Sequence, residues 1–381
     1  MLVLGLQLEN FLEGYAKATM AFAEVLSTFR KVEHVTLVNI NDLHVSLLRI
    51  VNDIYPRLSL KRIRVLDVIH YPYLSTFLGG LLTEIVDDCV LLIDGRLWVT
   101  LPLNRRRISS IAIYSRNHLR NLLIYLKKCI TYMMRGARQL ERLIVFNPYI
   151  NYEHTFIKLI KAYPPIHELF FNIGKRVLQE RPYNERVVFK LMGRLHPYRG
   201  VREAIRAFKV FKRRNSSAKV KLIVDSFHED VAAESRVIGV DGDVELSLWN
   251  PLILIKKGLI TPKSILYTIA KKYAESSCIL LPYTSYQFIE PPLTLLEALA
   301  TGSFVVASDI VTLFINDEVI YEVRHENIIE DLVNAFEYLY EIYDSSYYWS
   351  LRQRAYEYAL KNFSFEAIRN KIFNALGDVL D

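Results

Sequence analysis

Short runs of apolar and β-branched residues recur at 1–6, 35–40, 63–69, 89–93 and 143–146, with helical periodicity between several of them. Each has the length and composition of a buried strand. A second series follows at 186–191, 220–224, 244–248, 278–281 and 304–308, again separated by amphipathic helical patterns. Alternation of strand and helix predicts parallel sheets, so the fold class is α/β, built from two similar halves. Between them, residues 175–185 include Arg181-Pro182-Tyr183-Asn184, break the periodicity and read as a linker. The end of the chain, 347–380, is helical in pattern, with a break near Asn362-Phe363-Ser364 where Ser364 suits a helix N-cap.

A length of 381 residues fits two domains at about 150 residues each. With 51% hydrophobic and 23% charged residues, the chain can bury a substantial core and is not a disordered sequence. None of its apolar runs reaches the roughly 18 to 20 uncharged residues that cross a bilayer. The first residues have no basic flank and no small-residue cleavage site, and read as a strand rather than a signal peptide, so the expected compartment is the cytoplasm. Cys89, Cys129 and Cys278 are odd in number, far apart and without a C-x-x-C pairing, so they are expected as buried free thiols rather than as a disulfide framework or zinc site.

Charge changes the picture locally. Lys and Arg exceed Asp and Glu by 48 − 41 = 7, which favours anionic partners. Residues 101–140 hold nine Lys or Arg and no acid, among them Arg105, Arg106, Arg107, Arg116, Arg120, Lys127, Lys128 and Arg135, interleaved with Ile, Leu, Tyr and Met. Such a stretch suits an anionic membrane surface, and equally suits a core helix with a solvated basic face. Arg, Lys and Tyr could also engage a nucleic acid there, but no nucleic-acid motif accompanies them, and that reading ranks low.

Two stretches carry candidate chemistry. Val187-Val188-Phe189-Lys190-Leu191-Met192-Gly193-Arg194-Leu195-His196-Pro197-Tyr198-Arg199-Gly200 reads as a strand, a tight turn and the start of a helix. Gly193 lets the backbone leave the strand end, where open α/β sheets bind ligands, and Arg194 and Arg199 bring two permanent cations that suit a diphosphate. The alternative is a solvated basic loop. The second stretch runs from Ile279 through Pro282 and Glu290 to a helix starting near Leu293 and Thr294, with Glu297 in its first turns. A helix start can hold phosphate oxygens, and a carboxylate beside it can accept ribose hydroxyls. Glu297 could instead be a solvated helix residue.

Together these stretches resemble the C-terminal domain of retaining GT-B glycosyltransferases of family 4. Gly193-Arg194 and Arg199-Gly200 match its Gly-Arg and Lys-Gly elements, with Arg in place of Lys. Glu297-Ala298-Leu299-Ala300-Thr301-Gly302 followed by Phe304-Val305-Val306-Ala307-Ser308 fits the second half of its paired-glutamate signature. The first glutamate of that pair falls on Ile289, and Glu290 lies one residue late. Fainter likenesses are Glu13-Gly14, where the family has a turn near the donor, Asp67-Val68-Ile69-His70, and Phe171-Asn172-Ile173-Gly174. Where the family often has a catalytic histidine, this sequence has Asp94 and Arg96.

The resemblance implies two Rossmann-like domains facing a central cleft: an acceptor domain at 1–176, a nucleotide-sugar domain at 177–360, and a closing helix at 361–381 that returns to the first domain. It implies sugar transfer from a nucleotide-diphosphate sugar to an acceptor hydroxyl with retention of configuration. The donor would be held by Gly14, Gly193, Arg194, Arg199, Glu290, Leu293, Thr294 and Glu297. Arg194, Arg199, Glu290 and His70 would be the catalytic set, with no metal or other cofactor expected. The acceptor is not named by the sequence; the basic segment allows a lipid-linked one at an anionic membrane surface. A catalytically silent scaffold of the same fold is the competing reading, raised by the displaced Glu290 and the absent histidine.

Overall fold

The computed structural model describes residues 2–6, 14–29, 35–40, 53–58, 63–68, 90–92, 111–114, 142–145, 158–226, 242–285, 291–315 and 318–380. The chain divides into two compact units: 1–165 with 288–290 and 365–381, and 166–287 with 291–364.

In the first unit all pairings are parallel. β1 (Leu2–Leu6), β2 (Val35–Ile40) and β3 (Ile63–Val68) form one sheet in the order β1-β2-β3. The other sheet contains β4 (Val90–Leu92), β5 (Ile111–Tyr114), β6 (Arg142–Val145) and β7 (Lys158–Lys161) in sequence order. β1 and β4 are in contact, so the two sheets adjoin. Helix α1 (Gly14–Ser27) follows β1 and buries Phe22, Val25 and Leu26. The last helix of the chain packs beside it: Phe373 stacks on Phe29 at 6.3 Å, and Arg369 Nε donates to Thr28 Oγ1 at 3.2 Å.

The second unit begins with α2 (Glu168–Glu180), which runs through most of the expected linker. Its polar residues there, Lys175, Arg176 and Glu180, form the exposed face of an amphipathic helix that buries Ile173, Val177 and Leu178 on the other side. Arg181, in the left-handed conformation, ends it. A six-stranded parallel sheet follows, comprising β8 (Val187–Met192), β9 (Val220–Ser226), β10 (Val244–Leu248), β11 (Cys278–Leu281), β12 (Val305–Ser308) and β13 (Tyr321–Val323). Its order, β10-β9-β8-β11-β12-β13, is that of a doubly wound sheet, with the reversal of direction between β8 and β11.

Successive residues of β8 show how the sheet is covered, because side chains alternate across it. Phe189 enters an aromatic cluster with Phe208 and Phe211 of α3 (Val201–Arg214) and with Phe336 of α8 (Ile328–Ile342), the last at a centroid distance of 4.4 Å. Lys190 points the other way, and its Nζ donates to the Lys272 carbonyl of α5 (Pro262–Ala274) at 3.1 Å. Short helices α4 (Pro251–Lys256), α6 (Leu293–Ala300) and α7 (Asp309–Thr312) lie between the strands in sequence. The unit closes with α9 (Ser346–Phe363), separated at Ser364 from α10 (Phe365–Leu380), the helix already met in the first unit.

α2 approaches α6 closely. A Cβ on Gly174 would lie 2.8 Å from the backbone of Thr301, so only glycine allows the contact. α6 itself ends in a Schellman motif, with Gly302 N–H bonded to Leu299 O, Ser303 N–H to Ala298 O, and Gly302 at φ 63°.

Candidate functional site

The crevice of interest lies at the carboxyl ends of β8 and β11, beside the point where strand order reverses. Leu191, Met192, Gly193, Arg194, Arg199, Asp225 and Tyr283 are among its lining, and it opens to solvent. Two backbone contacts build it. Gly193, at φ 112°, leaves β8 in a conformation that L side chains rarely adopt, and its N–H is held by the Asp225 carbonyl at 3.0 Å. Gly200, at φ 67°, rests on the loop after β11, where a Cβ would meet Pro282 O at 1.8 Å; Thr284 N–H also bonds to Tyr198 O at 2.8 Å. The loops after β8 and β11 are thereby fixed to each other.

Arg199 ends a 3₁₀ turn, Pro197–Arg199, and folds back over Gly193. Its Nη1 donates to Met192 O at 3.3 Å, its guanidinium lies 5.3 Å from the centre of the Tyr283 ring, and its buried Nε has no hydrogen-bond partner among the described residues. Arg194 is half-buried and lines the same crevice. The two arginines singled out from the sequence are thus brought together, but Arg199 lies along the wall against an aromatic ring.

The start of α6 adjoins this wall through Tyr283, whose hydroxyl is 3.5 Å from Thr294 Oγ1. Pro292 precedes the helix and supplies no side-chain cap. Leu293 and Thr294 are buried, and so is Glu297, at 3% exposure. Glu297 is therefore not a solvated helix residue. The Tyr273 hydroxyl lies near it without completing a hydrogen bond of acceptable geometry. Burial first, then the Glu297 carboxylate, pushes Tyr273 ionisation well above the ordinary phenol range; burial likewise raises Tyr283, against the opposing charge of Arg199.

A second polar group stands behind the Gly193 turn. The Asp225 carboxylate, 2% exposed, accepts Lys272 Nζ at 2.7 Å and Trp249 Nε1 at 3.1 Å. The Lys272 ammonium also sits 4.7 Å from the centre of the Trp249 ring. Burial lowers the nearby Lys190 pKa to about 8, with Asp225 opposing the shift.

No family model matches the sequence, and no curated protein does. Solved structures do match along its length. A glycosyltransferase from Rickettsia africae superposes with a TM-score of 0.65 at 12% identity, over 100% of this chain and 98% of that one. HepE from Anabaena, in complex with UDP-glucose, gives 0.65 at 13% identity over 100% of both chains. α,α-Trehalose 6-phosphate synthase from Burkholderia multivorans gives 0.55 at 12% identity, over 81% of this chain and 74% of that one. The chain has the GT-B fold.

In this GT-B chain six of the candidate site residues, Gly193, Arg194, Arg199, Leu293, Thr294 and Glu297, lie in the second unit. Gly14 is the first residue of α1 in the first unit. Glu290 and His70 lie outside the described residues, as do Cys89, Cys129 and most of the basic segment 101–140, of which only β5 is described. Cys278 is a buried free thiol whose ionisation burial pushes up. Among the described residues, no group of three or more His, Cys, Asp or Glu comes together, and no helix is long and apolar enough to cross a membrane.

Sequence reasoning missed Tyr283, Tyr273, Asp225, Lys272 and Trp249. A signal for the last group existed, because Lys190 and Asp225 are charges inside strands that otherwise read as fully buried.

Proposed function

We propose that the protein is a glycosyltransferase that moves a sugar from a nucleoside-diphosphate sugar to an acceptor hydroxyl with retention of configuration. The observation that carries this is the pairing of Arg194 and Arg199 in one crevice at the strand-order reversal of the second unit. HepE, which shares the fold, was solved with UDP and with UDP-glucose, and that supports a nucleotide sugar as donor here.

In this reading the arginines bind the diphosphate and offset the charge that develops on it as the glycosidic bond breaks. Arg199 stays protonated at any working pH, and Tyr283 limits where its guanidinium can go. The N–H groups of Leu293 and Thr294, at the positive end of α6, add donors for phosphate oxygen. Glu297 accepts from the ribose hydroxyls, and Glu290 contacts the sugar. Retention follows if the departing phosphate takes the acceptor proton on the face it leaves, a step for which His70 is a candidate assistant. Gly14, the first residue of α1, is the first unit's candidate for a donor contact. The division of labour gives the acceptor to 1–176, the donor to 177–360 and closure to 361–381, with no metal required. The basic segment 101–140 supports a lipid-linked acceptor at an anionic membrane surface.

A thermal-shift and calorimetric screen against UDP, GDP, ADP and their sugars tests the donor site, because a ligand of the native state raises apparent stability. Selective stabilisation by one nucleotide, weakened at least about tenfold in Arg194→Ala and in Arg199→Ala, is the expected result, corresponding to the loss of one charge-assisted contact in each. Binding unchanged in both variants would remove the arginines from the site. Folded protein that binds none of these compounds would overturn the donor reading.

A further inference from the structure

Ten large apolar side chains are exposed among the described residues, and four of them, Leu248, Ile253, Leu259 and Tyr267, fall between the end of β10 and the middle of α5. The same stretch has a one-sided charge. Between Glu245 and Glu275 lie Lys256, Lys257, Lys263, Lys271 and Lys272, and no acidic residue. Lys272 pairs with Asp225 and Lys271 with Glu275. Lys257 and Lys263 are exposed beside the apolar residues.

Local structure explains the projection. Asn250 Oδ1 accepts the Ile253 N–H at 3.3 Å, and Ile255 anchors the short α4 in the core at 2% exposure. Ile253 then faces outward. After α4, Gly258 at φ 69° turns the chain into open space, with nothing within 4 Å of its missing Cβ, and delivers Leu259 at 67% exposure. Thr261 caps α5 by accepting the Ser264 N–H at 3.2 Å, and the exposed residues Lys263, Tyr267 and Lys271 follow at four-residue intervals along one stripe of that helix. Exposed apolar side chains and exposed lysines thus interleave along one short stretch of chain.

We propose that this face docks the second unit onto an anionic lipid surface. Aliphatic insertion with lysine at its margin is the chemistry of interfacial binding. A nucleic acid is the poorer fit, since three of the four exposed apolar residues, Leu248, Ile253 and Leu259, are aliphatic and offer no stacking surface, and the stretch has no arginine. Position adds a functional reason. All strands of the sheet are parallel, so α4, which follows the carboxyl end of β10, lies at the same sheet edge as the crevice beyond β8 and β11. Docking here holds the crevice near the lipid surface, which, on the glycosyl-transfer reading, is where a lipid-linked acceptor is found. Each lysine near such a surface contributes roughly fivefold to partitioning.

The test is co-sedimentation of the full chain with vesicles of mixed phosphatidylglycerol and phosphatidylcholine, and with phosphatidylcholine alone, alongside the nucleotide thermal shift on the same preparations. Wild-type protein should sediment with the anionic vesicles only, less so at high salt. Ile253→Ser with Leu259→Ser, and separately Lys257→Glu with Lys263→Glu, should each reduce partitioning at least about tenfold. Both pairs sit at exposed positions and should keep the wild-type melting temperature and nucleotide response. Absence of wild-type sedimentation, or sedimentation undiminished in both variants, overturns the proposal. So does a wild-type dimer that the serine substitutions dissociate without any vesicle binding, which would assign the face to a second copy. Nucleotide binding without vesicle binding defeats docking and leaves glycosyl transfer standing; vesicle binding without nucleotide binding does the reverse.

Discussion

The guanidinium of Arg199 occupies the space a side chain on Gly193 would need: a Cβ built there would lie 2.4 Å from Arg199 Nη1. Gly193 therefore does two things, adopting φ 112° and leaving room for the cation to fold across the strand end. Gly193→Ala should strain the backbone by about 1–3 kcal/mol and displace Arg199 from Tyr283. The expected outcome is a lower melting temperature together with at least about tenfold weaker nucleotide binding per folded molecule, measured by calorimetry. Wild-type affinity in a destabilised but folded variant would show that Arg199 can be moved without loss and does not serve the donor.

The regular part of the fold was legible because buried parallel strands read as predominantly apolar, β-branched runs. β8, β9, β11 and β12 all coincide with such runs to within a residue or two. β5, β7 and β13 lie outside those runs; β7 carries lysine at both ends and β13 a glutamate at its centre. The stretch 175–180 looked like a linker because only the polar face of α2 is dense there; Val177 and Leu178 are its buried side. At the site, Gly193, Arg194 and Arg199 stand close in sequence and could be seen as a motif. Tyr283, Tyr273 and Asp225 come from other strands and helices, and packing alone unites them with the arginines. Burial of Glu297 was undetermined for the same reason: helical periodicity gives a face, not what covers it.

Lys190 is a buried charge that the fold accommodates at a cost. In the unfolded chain it ionises near the ordinary lysine value of 10.5, whereas burial lowers it to about 8 in the folded protein. Between these values the unfolded state binds more protons than the folded one, so stability contributed by this group rises as pH rises from 8 towards 10.5. At neutral pH both states are protonated and the full burial penalty is present. Lys190→Met should relieve it, gaining about 1–3 kcal/mol near pH 7. The Lys272 carbonyl that Lys190 serves still accepts from Ser276 Oγ at 2.5 Å, so no carbonyl is orphaned. Urea titrations of both proteins across the alkaline range should show the wild-type rise absent from the variant. A variant less stable at neutral pH, or one that keeps the rise, would mean that the Lys190 charge is compensated by Asp225.

Arg352 offers the opposite case, a buried cation whose removal should damage the unit without touching the crevice. At 3% exposure, its Nε donates to Gly302 O and its Nη2 to Ala274 O, each at 2.6 Å, while Nη1 reaches the Tyr348 hydroxyl at 3.3 Å. Those two carbonyls stand at the carboxyl ends of α6 and α5, where the helix dipoles favour a positive charge. One guanidinium thus ties α9 to two helix ends, and the Trp349 ring lies against it at 5.0 Å. Arg352→Ala exposes none of these groups to water and removes their donor, so a loss of about 3–5 kcal/mol in urea unfolding is expected. Arg352→Lys should recover only part of it, because a single ammonium cannot span both carbonyls in the guanidinium geometry. Nucleotide affinity, expressed per folded molecule, should remain at the wild-type value in both variants. A parallel fall in affinity would mean that the α6 end transmits its position to Leu293 and Thr294 at the helix start, and the roles assigned to scaffold and crevice would then have to be merged.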